Sequence, residues 1–270
     1  MIEQNDNICP ITGAKMDYVF TKKIIGKYDV KYFYSPESGI LQTENPYWLV
    51  EAYQSAIAVA DTGLVNRNLL NRRRLEPILY NLFGNSGKFL DLGGGYGLLS
   101  RMLRDIGFDS YTYDKYCENI FAKTFEPEEG FKADALFAFE VFEHINNPFE
   151  FLRDAFEKYN CKTLLFSTLL FEGNVPQEDW WYYSCDFGQH VTFYQKRTLA
   201  LLAKKFDCSY YKLNRDFHLI TDKKITWFNR LLFSNQKLLL IFAMLLRILR
   251  INNSFVNDDY IRIKERLNKK

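Results

Sequence analysis

The chain has 270 residues, 47% hydrophobic and 25% charged, the balance of an ordinary folded protein long enough for one large or two small domains. Its net charge of +2 removes any global electrostatic case for nucleic acid as a partner. The five cysteines are odd in number without a pairing pattern, and there is neither a cleavable apolar start nor an uncharged apolar run of about 18 residues, so free thiols, no spanning helix and a cytoplasmic location are expected.

Residues 1–44 read as a small β-rich module, opened by CPITG (9–13), continued by 28–39 and closed by a returning strand at 40–43. CPITG and SPESG keep the outline of two metal knuckles, in which a C-x2-C pair precedes a glycine. Their four ligand positions hold Cys9, Thr12, Ser35 and Ser38. One thiol and three hydroxyls cannot hold structural zinc. The module resembles a zinc ribbon that has lost its metal.

Residues 45–84 predict two helices. Asn45 caps the first, 45–60, and Pro46 opens it; Asp61, Thr62 and Gly63 break the pattern. The second, 65–82, carries Arg67, Arg72, Arg73 and Arg74, a solvated basic face.

The chain is organised around KFLDLGGGYGLLS, residues 88–100. A short apolar run leads to Asp91, then to Gly93, Gly94, Gly95 and Gly97, and Leu99, Met102, Leu103 and Ile106 follow at helical spacing. This is a strand, a tight turn and a helix. Glycines belong where φ is positive or where a ligand lies against the backbone. The dinucleotide spacing GxGxxG fits badly, and a carboxylate beside the turn repels a pyrophosphate but suits an ammonium group. The next strand, SYTYD, ends at Asp114, where doubly wound folds place an acid on ribose hydroxyls.

The pattern Asp91-x-Gly93-x-Gly95-x-Gly97 resembles motif I of the class I S-adenosylmethionine-dependent methyltransferases. Further along, 115–133 is irregular and 135–139 is a buried strand. Glu140, Glu143 and His144 lie just past its end, and Pro148 opens an amphipathic helix. The string FEVFEHINNP resembles the motif after strand four of the same family. The resemblance implies an α/β fold: a doubly wound, Rossmann-like methyltransferase sheet with the small N-terminal β module and a helical C-terminal tail. Its boundaries are 1–44, 45–226 and 227–270. It implies S-adenosylmethionine as cofactor, held by Asp91, Gly93, Gly95, Tyr96, Gly97, Asp114 and Glu140. Ligands of open α/β sheets sit beyond the strand ends, so the polar cluster is expected to face the same crevice as the turn.

A central strand at 161–170 runs into a loop with Trp180, Trp181, Tyr182 and Tyr183, which suits either an acceptor platform or buried core. A helix at 198–206 and an antiparallel pair at 208–213 and 217–221 close the sheet. Transfer to a hydroxyl needs a base. His190 and His144 are the candidates, with Glu143 placed to orient or polarise its neighbour His144, while His218 sits inside a strand as a packed core residue. No metal is assigned.

The acceptor is expected to be a hydroxyl of a sugar or other small molecule in polysaccharide biosynthesis, since some methyltransferases of that chemistry carry a similar N-terminal module. Two alternatives stay open. One is a nucleic-acid 2′-O-methyltransferase with a divalent metal on an ExxEH…H set, Glu140, Glu143, His144 and His190. The other is a non-catalytic cofactor-binding or assembly protein. In the tail, the apolar run 238–246 between Lys237 and Arg247 suits membrane contact or self-association, its broad apolar side favouring burial in protein. The last segment predicts an acidic-to-basic helix, as the macrodipole prefers.

Overall fold

The computed structural model describes residues 7–53, 61–84, 86–249 and 253–268. Strands β1 (Asp17–Ile24), β2 (Tyr28–Tyr34), β3 (Leu41–Thr43) and β8 (Thr192–Phe193) form one sheet in that order. The second sheet has six strands in the order β5-β4-β6-β7-β10-β9. They are β4 (Lys88–Leu92), β5 (Asp109–Tyr113), β6 (Ala135–Ala138), β7 (Thr163–Ser167), β9 (Ser209–Lys212) and β10 (Phe217–Thr221). The helices are α1 (Leu49–Ala52), α2 (Leu64–Phe83), α3 (Leu98–Arg104), α4 (Pro148–Tyr159), α5 (Lys196–Lys204), α6 (Trp227–Ser234), α7 (Gln236–Ile248) and α8 (Val256–Asn268). This is the doubly wound α/β fold expected from the sequence. The first predicted helix begins only at Leu49, and its positions 54–60 lie outside the described residues.

The chain forms two compact units. One comprises Met1–Ala58, Phe139–Glu157 and Leu165–Lys223. Its antiparallel sheet closes over a core of Phe20, Tyr32, Trp48, Tyr182, Tyr183 and Phe193. Tyr182 and Tyr183 therefore take the core side of the alternative, while Trp181 is 71% exposed. Strand β1 has no counterpart in the sequence reading. Its inward face alternates Phe20, Lys22 and Ile24, and the lysine breaks the period-2 signal. The amine of Lys22 lies 5.1 Å from the centre of the Tyr183 ring, and its tip bonds the Glu178 carbonyl.

The other unit comprises Val59–Ala138, Lys158–Leu164 and Lys224–Lys270. Strand β4 pairs in parallel with β5 on one side and β6 on the other. The strand order thus reverses at β4, and such a switch point is where open α/β sheets bind ligands. Residues 89–92 and all of β6 are buried, the near-continuous apolar run of a parallel sheet covered on both faces. Helix α7 packs along α2, with Tyr80 and Phe242 ring centres 6.3 Å apart. Helix α8 is held by charge. The buried Asp259 accepts from Arg104 Nη2 at 2.7 Å and from Arg104 Nε and Arg101 Nη1 at 2.8 Å each. The Arg104 guanidinium also bonds Asp109 and stacks 3.7 Å from the centre of the Phe125 ring. The macrodipole accounts for an acid in the first turn of α8, but this salt bridge fixes which acid is buried.

Candidate active site

The turn after β4 needs its glycines for two different reasons. Gly93, Gly95 and Gly97 have φ of +70°, +56° and +79°, a region that side chains disfavour. Gly94 is required by space, because a Cβ there would lie 2.3 Å from Thr112 Oγ1 and 2.7 Å from Asp91 Oδ2. The amides of Gly93 and Gly94 donate to the Tyr113 carbonyl at 2.8 and 3.3 Å. The Gly95 amide donates to Asp114 Oδ2 at 2.9 Å. Asp114 Oδ1 accepts from the amides of Tyr116 and Cys117 at 2.7 and 2.9 Å. One carboxylate therefore ties the glycine turn to the loop after β5. The Tyr96 carbonyl accepts from the amides of Ile120 and Phe121 at 3.0 Å each, and its side chain is partly exposed. Asp91 is buried at the strand end, and burial, with the nearby Asp114 charge, pushes its carboxyl up to about 7.

A second cluster lies wholly within the other unit. Glu140 has a φ of +55°, unusual outside glycine, and Ser167 braces it. Ser167 Oγ accepts from the Glu140 amide at 2.8 Å and donates to Glu140 Oε1 at 2.7 Å. Glu143 and His144 follow on a single 3-10 turn, Phe142–His144. The Val191 amide donates to the Glu143 carbonyl at 2.8 Å and draws the His190 segment against that turn. The Glu143 side chain is 1% exposed. Tyr182 and Thr168 hydrogen-bond its carboxylate, yet Oε2 has no partner among the described residues. Burial first, and the Glu140 charge second, push the Glu143 carboxyl well above its usual range.

The two histidines are set alike. His144 Nδ1 meets the Gln189 carbonyl at 3.0 Å and His190 Nδ1 meets the Tyr182 carbonyl at 2.7 Å. A carbonyl only accepts, so both Nδ1 atoms carry the proton and both Nε2 atoms keep a lone pair. The ring centres are 5.0 Å apart. Burial, and then the neighbouring His190, lower His144 to about 3, and burial lowers His190 to about 4, so both are neutral at pH 7. His218 differs: it is fully buried with both nitrogens engaged, by the Tyr210 hydroxyl and the Thr168 carbonyl at 3.0 Å each.

The structure thus brings together Asp91, Gly93, Gly95, Tyr96, Gly97 and Asp114 in one unit, and Glu140, Glu143, His144 and His190 in the other. The sequence reading missed Ser167 and the carbonyls of Gln189 and Tyr182. No residue type signals a carbonyl, which any residue supplies.

The family of methyltransferase domains matches residues 66–213, more than half of the chain and all of the strands that carry the turn and its neighbours. The chain belongs to this family. No curated protein matches the chain in sequence. Among solved structures it is similar to CalO1, a methyltransferase in calicheamicin biosynthesis in its SAH-bound form. The TM-score is 0.44 at 13% identity, over 64% of this chain and 61% of that one. It is also similar to a SAM-dependent methyltransferase from Thermotoga maritima, a possible histamine N-methyltransferase, with a TM-score of 0.43 at 14% identity, over 65% of this chain and 100% of that one. A third is magnesium protoporphyrin IX methyltransferase from Synechocystis PCC 6803 with bound SAH, with a TM-score of 0.41 at 12% identity, over 65% of this chain and 94% of that one. The chain spans less than two thirds of the length of CalO1.

Proposed function

We propose that this methyltransferase moves the methyl group of S-adenosylmethionine to a hydroxyl of a sugar or other small molecule. The observation that carries the donor is the chemistry of the glycine turn. It is flanked by carboxylates, Asp91 and Asp114, where a phosphate ligand needs positive partners. Asp91 receives the ammonium of the amino acid end. Asp114 spends one lone pair of Oδ2 and those of Oδ1 on amides, and its remaining lone pair suits a ribose hydroxyl. Gly93, Gly95, Tyr96 and Gly97 supply backbone close to the ligand. Glu143, His144 and His190 handle the acceptor. Its oxygen attacks the methyl carbon in line, the carbon–sulfur bond breaks, the electron pair returns to sulfur, and the hydroxyl proton passes to a free imidazole lone pair or to solvent water.

Titration with S-adenosylhomocysteine tests the donor site. Below about pH 7 Asp91 is protonated and cannot pair with an ammonium. Affinity is expected to rise with pH through 7 and level off above it, losing about tenfold per unit on the acid side. Asp91→Asn should weaken binding and flatten this profile. A chain that ignores S-adenosylhomocysteine and binds a pyridine nucleotide would sink the assignment.

The saccharide reading draws support from the N-terminal module. Cys9 Sγ lies 3.3 Å from Ser38 Oγ, and the Ser38 amide donates to Ser35 Oγ at 3.2 Å. Burial pushes the Cys9 thiol up, but hydrogen bonds from Ser38, from Thr12 and from the Thr12 and Ile11 amides outweigh it and leave it below its ordinary value. The four knuckle positions lie in contact, three hydroxyl residues around one thiol, which supports the resemblance to a metal-less ribbon.

The tail supports a peripheral contact. On α6 and α7, Trp227, Phe228, Leu231, Ile241, Met244 and Ile248 are all at least 50% exposed. No Asp or Glu occurs between Lys223 and Asn257, while Lys223, Lys224, Arg230, Lys237, Arg247 and Arg250 do. Apolar bodies on a stretch that carries lysines and arginines and no acidic residue fit an anionic bilayer surface better than a second copy of the same face. No helix among the described residues is long and apolar enough to cross a membrane. Sedimentation with phosphatidylserine vesicles should pull the chain down at low salt, with release in high salt and by Ile241→Asp. Binding to neutral vesicles alone, or salt-insensitive dimerisation, contradicts this.

A further inference from the structure

We propose that Glu143, His144 and His190 bind a divalent first-row transition ion, and that the ion's open positions receive the acceptor oxygen. The second part rests on the hydroxyl-methylating function above; the first does not.

Three independent features point to an ion. One ligating atom from each of the three residues lies within 4.8 Å of the other two. An ion held about 2.0–2.2 Å from such donors sets them roughly 3–3.5 Å apart, so loading asks for a closure of about 1 Å or more. Next, both imidazoles are fixed as metal-binding imidazoles usually are, with Nδ1–H on a backbone carbonyl and Nε2 left as the donor atom. Finally, Glu143 Oε2 is buried and has no hydrogen-bond partner among the described residues. A carboxyl oxygen left without a partner in the interior is costly, and a cation is the natural relief. The hydroxyls of Tyr182 and Thr168 hold the rest of that carboxylate in place.

Glu140 stands apart from this set, because Ser167 engages its amide and its Oε1. Two imidazoles and one carboxylate favour manganese, cobalt or zinc over magnesium, which prefers an all-oxygen shell. Three protein ligands leave positions open, and both histidines are only half-buried, so an outside oxygen has access. An acceptor hydroxyl bound there becomes more acidic. Its O–H bond breaks to leave the electron pair on the attacking oxygen, and the proton passes to solvent water, since both imidazole lone pairs are on the ion.

The test uses the full chain stripped by chelator and titrated with cobalt(II) chloride, followed by visible absorption. One cobalt per chain should bind, zinc should displace it, and magnesium should not. Glu143→Gln and His190→Ala should each weaken uptake by more than the roughly 10–100-fold that follows loss of an outer hydrogen-bond partner. Both variants should keep their circular dichroism and their affinity for S-adenosylhomocysteine, which rules out misfolding as the cause. Cobalt uptake that is substoichiometric, or equal in the parent and both variants, overturns the ion site. Cobalt binding without any S-adenosylhomocysteine binding leaves the ion site standing and removes the donor assignment; the reverse removes the ion alone.

Discussion

Gly94→Ala is expected to lower affinity for S-adenosylhomocysteine by at least about 30-fold, roughly 2 kcal/mol, with the fold retained. The added methyl carbon would sit 2.3 Å from Thr112 Oγ1, 2.7 Å from Asp91 Oδ2 and 3.0 Å from Asp91 Cγ. Neither neighbour can retreat easily. Asp91 and Thr112 are paired across β4 and β5, and both are buried. Strain is then relieved by moving the turn, and the turn is what Asp114 holds through the Gly95 amide. Gly130→Ala is the matched control. It also has a positive φ, +73°, but nothing lies within 4 Å of the new atom. It should cost about 1 kcal/mol of stability and leave calorimetric binding unchanged. Equal binding losses in the two variants would show that strain anywhere in the chain, and not this contact, sets affinity.

Asp259→Ala should destabilise the chain by about 3–5 kcal/mol and lower its melting temperature by roughly 10 °C. The substitution leaves the Arg104 side chain, 3% exposed, with Asp109 as its one remaining carboxylate among the described residues. It also frees α8, whose entry is fixed by the bond from the Phe255 amide to the Arg104 carbonyl at 3.1 Å. The pH dependence has a definite sign. Burial raises the Asp259 pKa, but the hydrogen bonds and charges of Arg104 and Arg101 outweigh it and hold the folded value below 3.8. The stabilisation is therefore complete above the unfolded value of about 4 and fades as pH falls through the lower folded one. Thermal melts from pH 5 to pH 2.5 should show a loss in the parent chain that is smaller in Asp259→Asn. Identical slopes would separate Asp259 from acid unfolding.

Much of the donor half was legible in the sequence because it rests on chemistry a side chain announces. Glycines mark positive φ, and an acid at the end of β5 marks a ligand or a clasp; Asp114 is at least the clasp. Strands β4, β6 and β7 were also readable, since buried parallel strands are written as apolar runs, while the antiparallel pair β9 and β10 was read with the help of the family resemblance. The rest depends on partners far away in the chain. Strand β8 is two residues long and has no period to detect. Nothing in Tyr182 and Tyr183 says that they face inward until the sheet that covers them exists. The matched tautomers of His144 and His190 are set by carbonyls, which the sequence does not distinguish from any others.

The pairing of Leu41 with Phe193 has a consequence for how the protein is made. At about 5–20 residues per second, the ribosome needs roughly 10–30 seconds to deliver the later strand after the earlier one. Throughout that time β3 offers an unsatisfied hydrogen-bonding edge to its surroundings, beside apolar surface that has nothing to cover it. Synthesis rate and chaperone supply, rather than the equilibrium strength of the finished sheet, should therefore decide how much of this polypeptide reaches its native form in a cell.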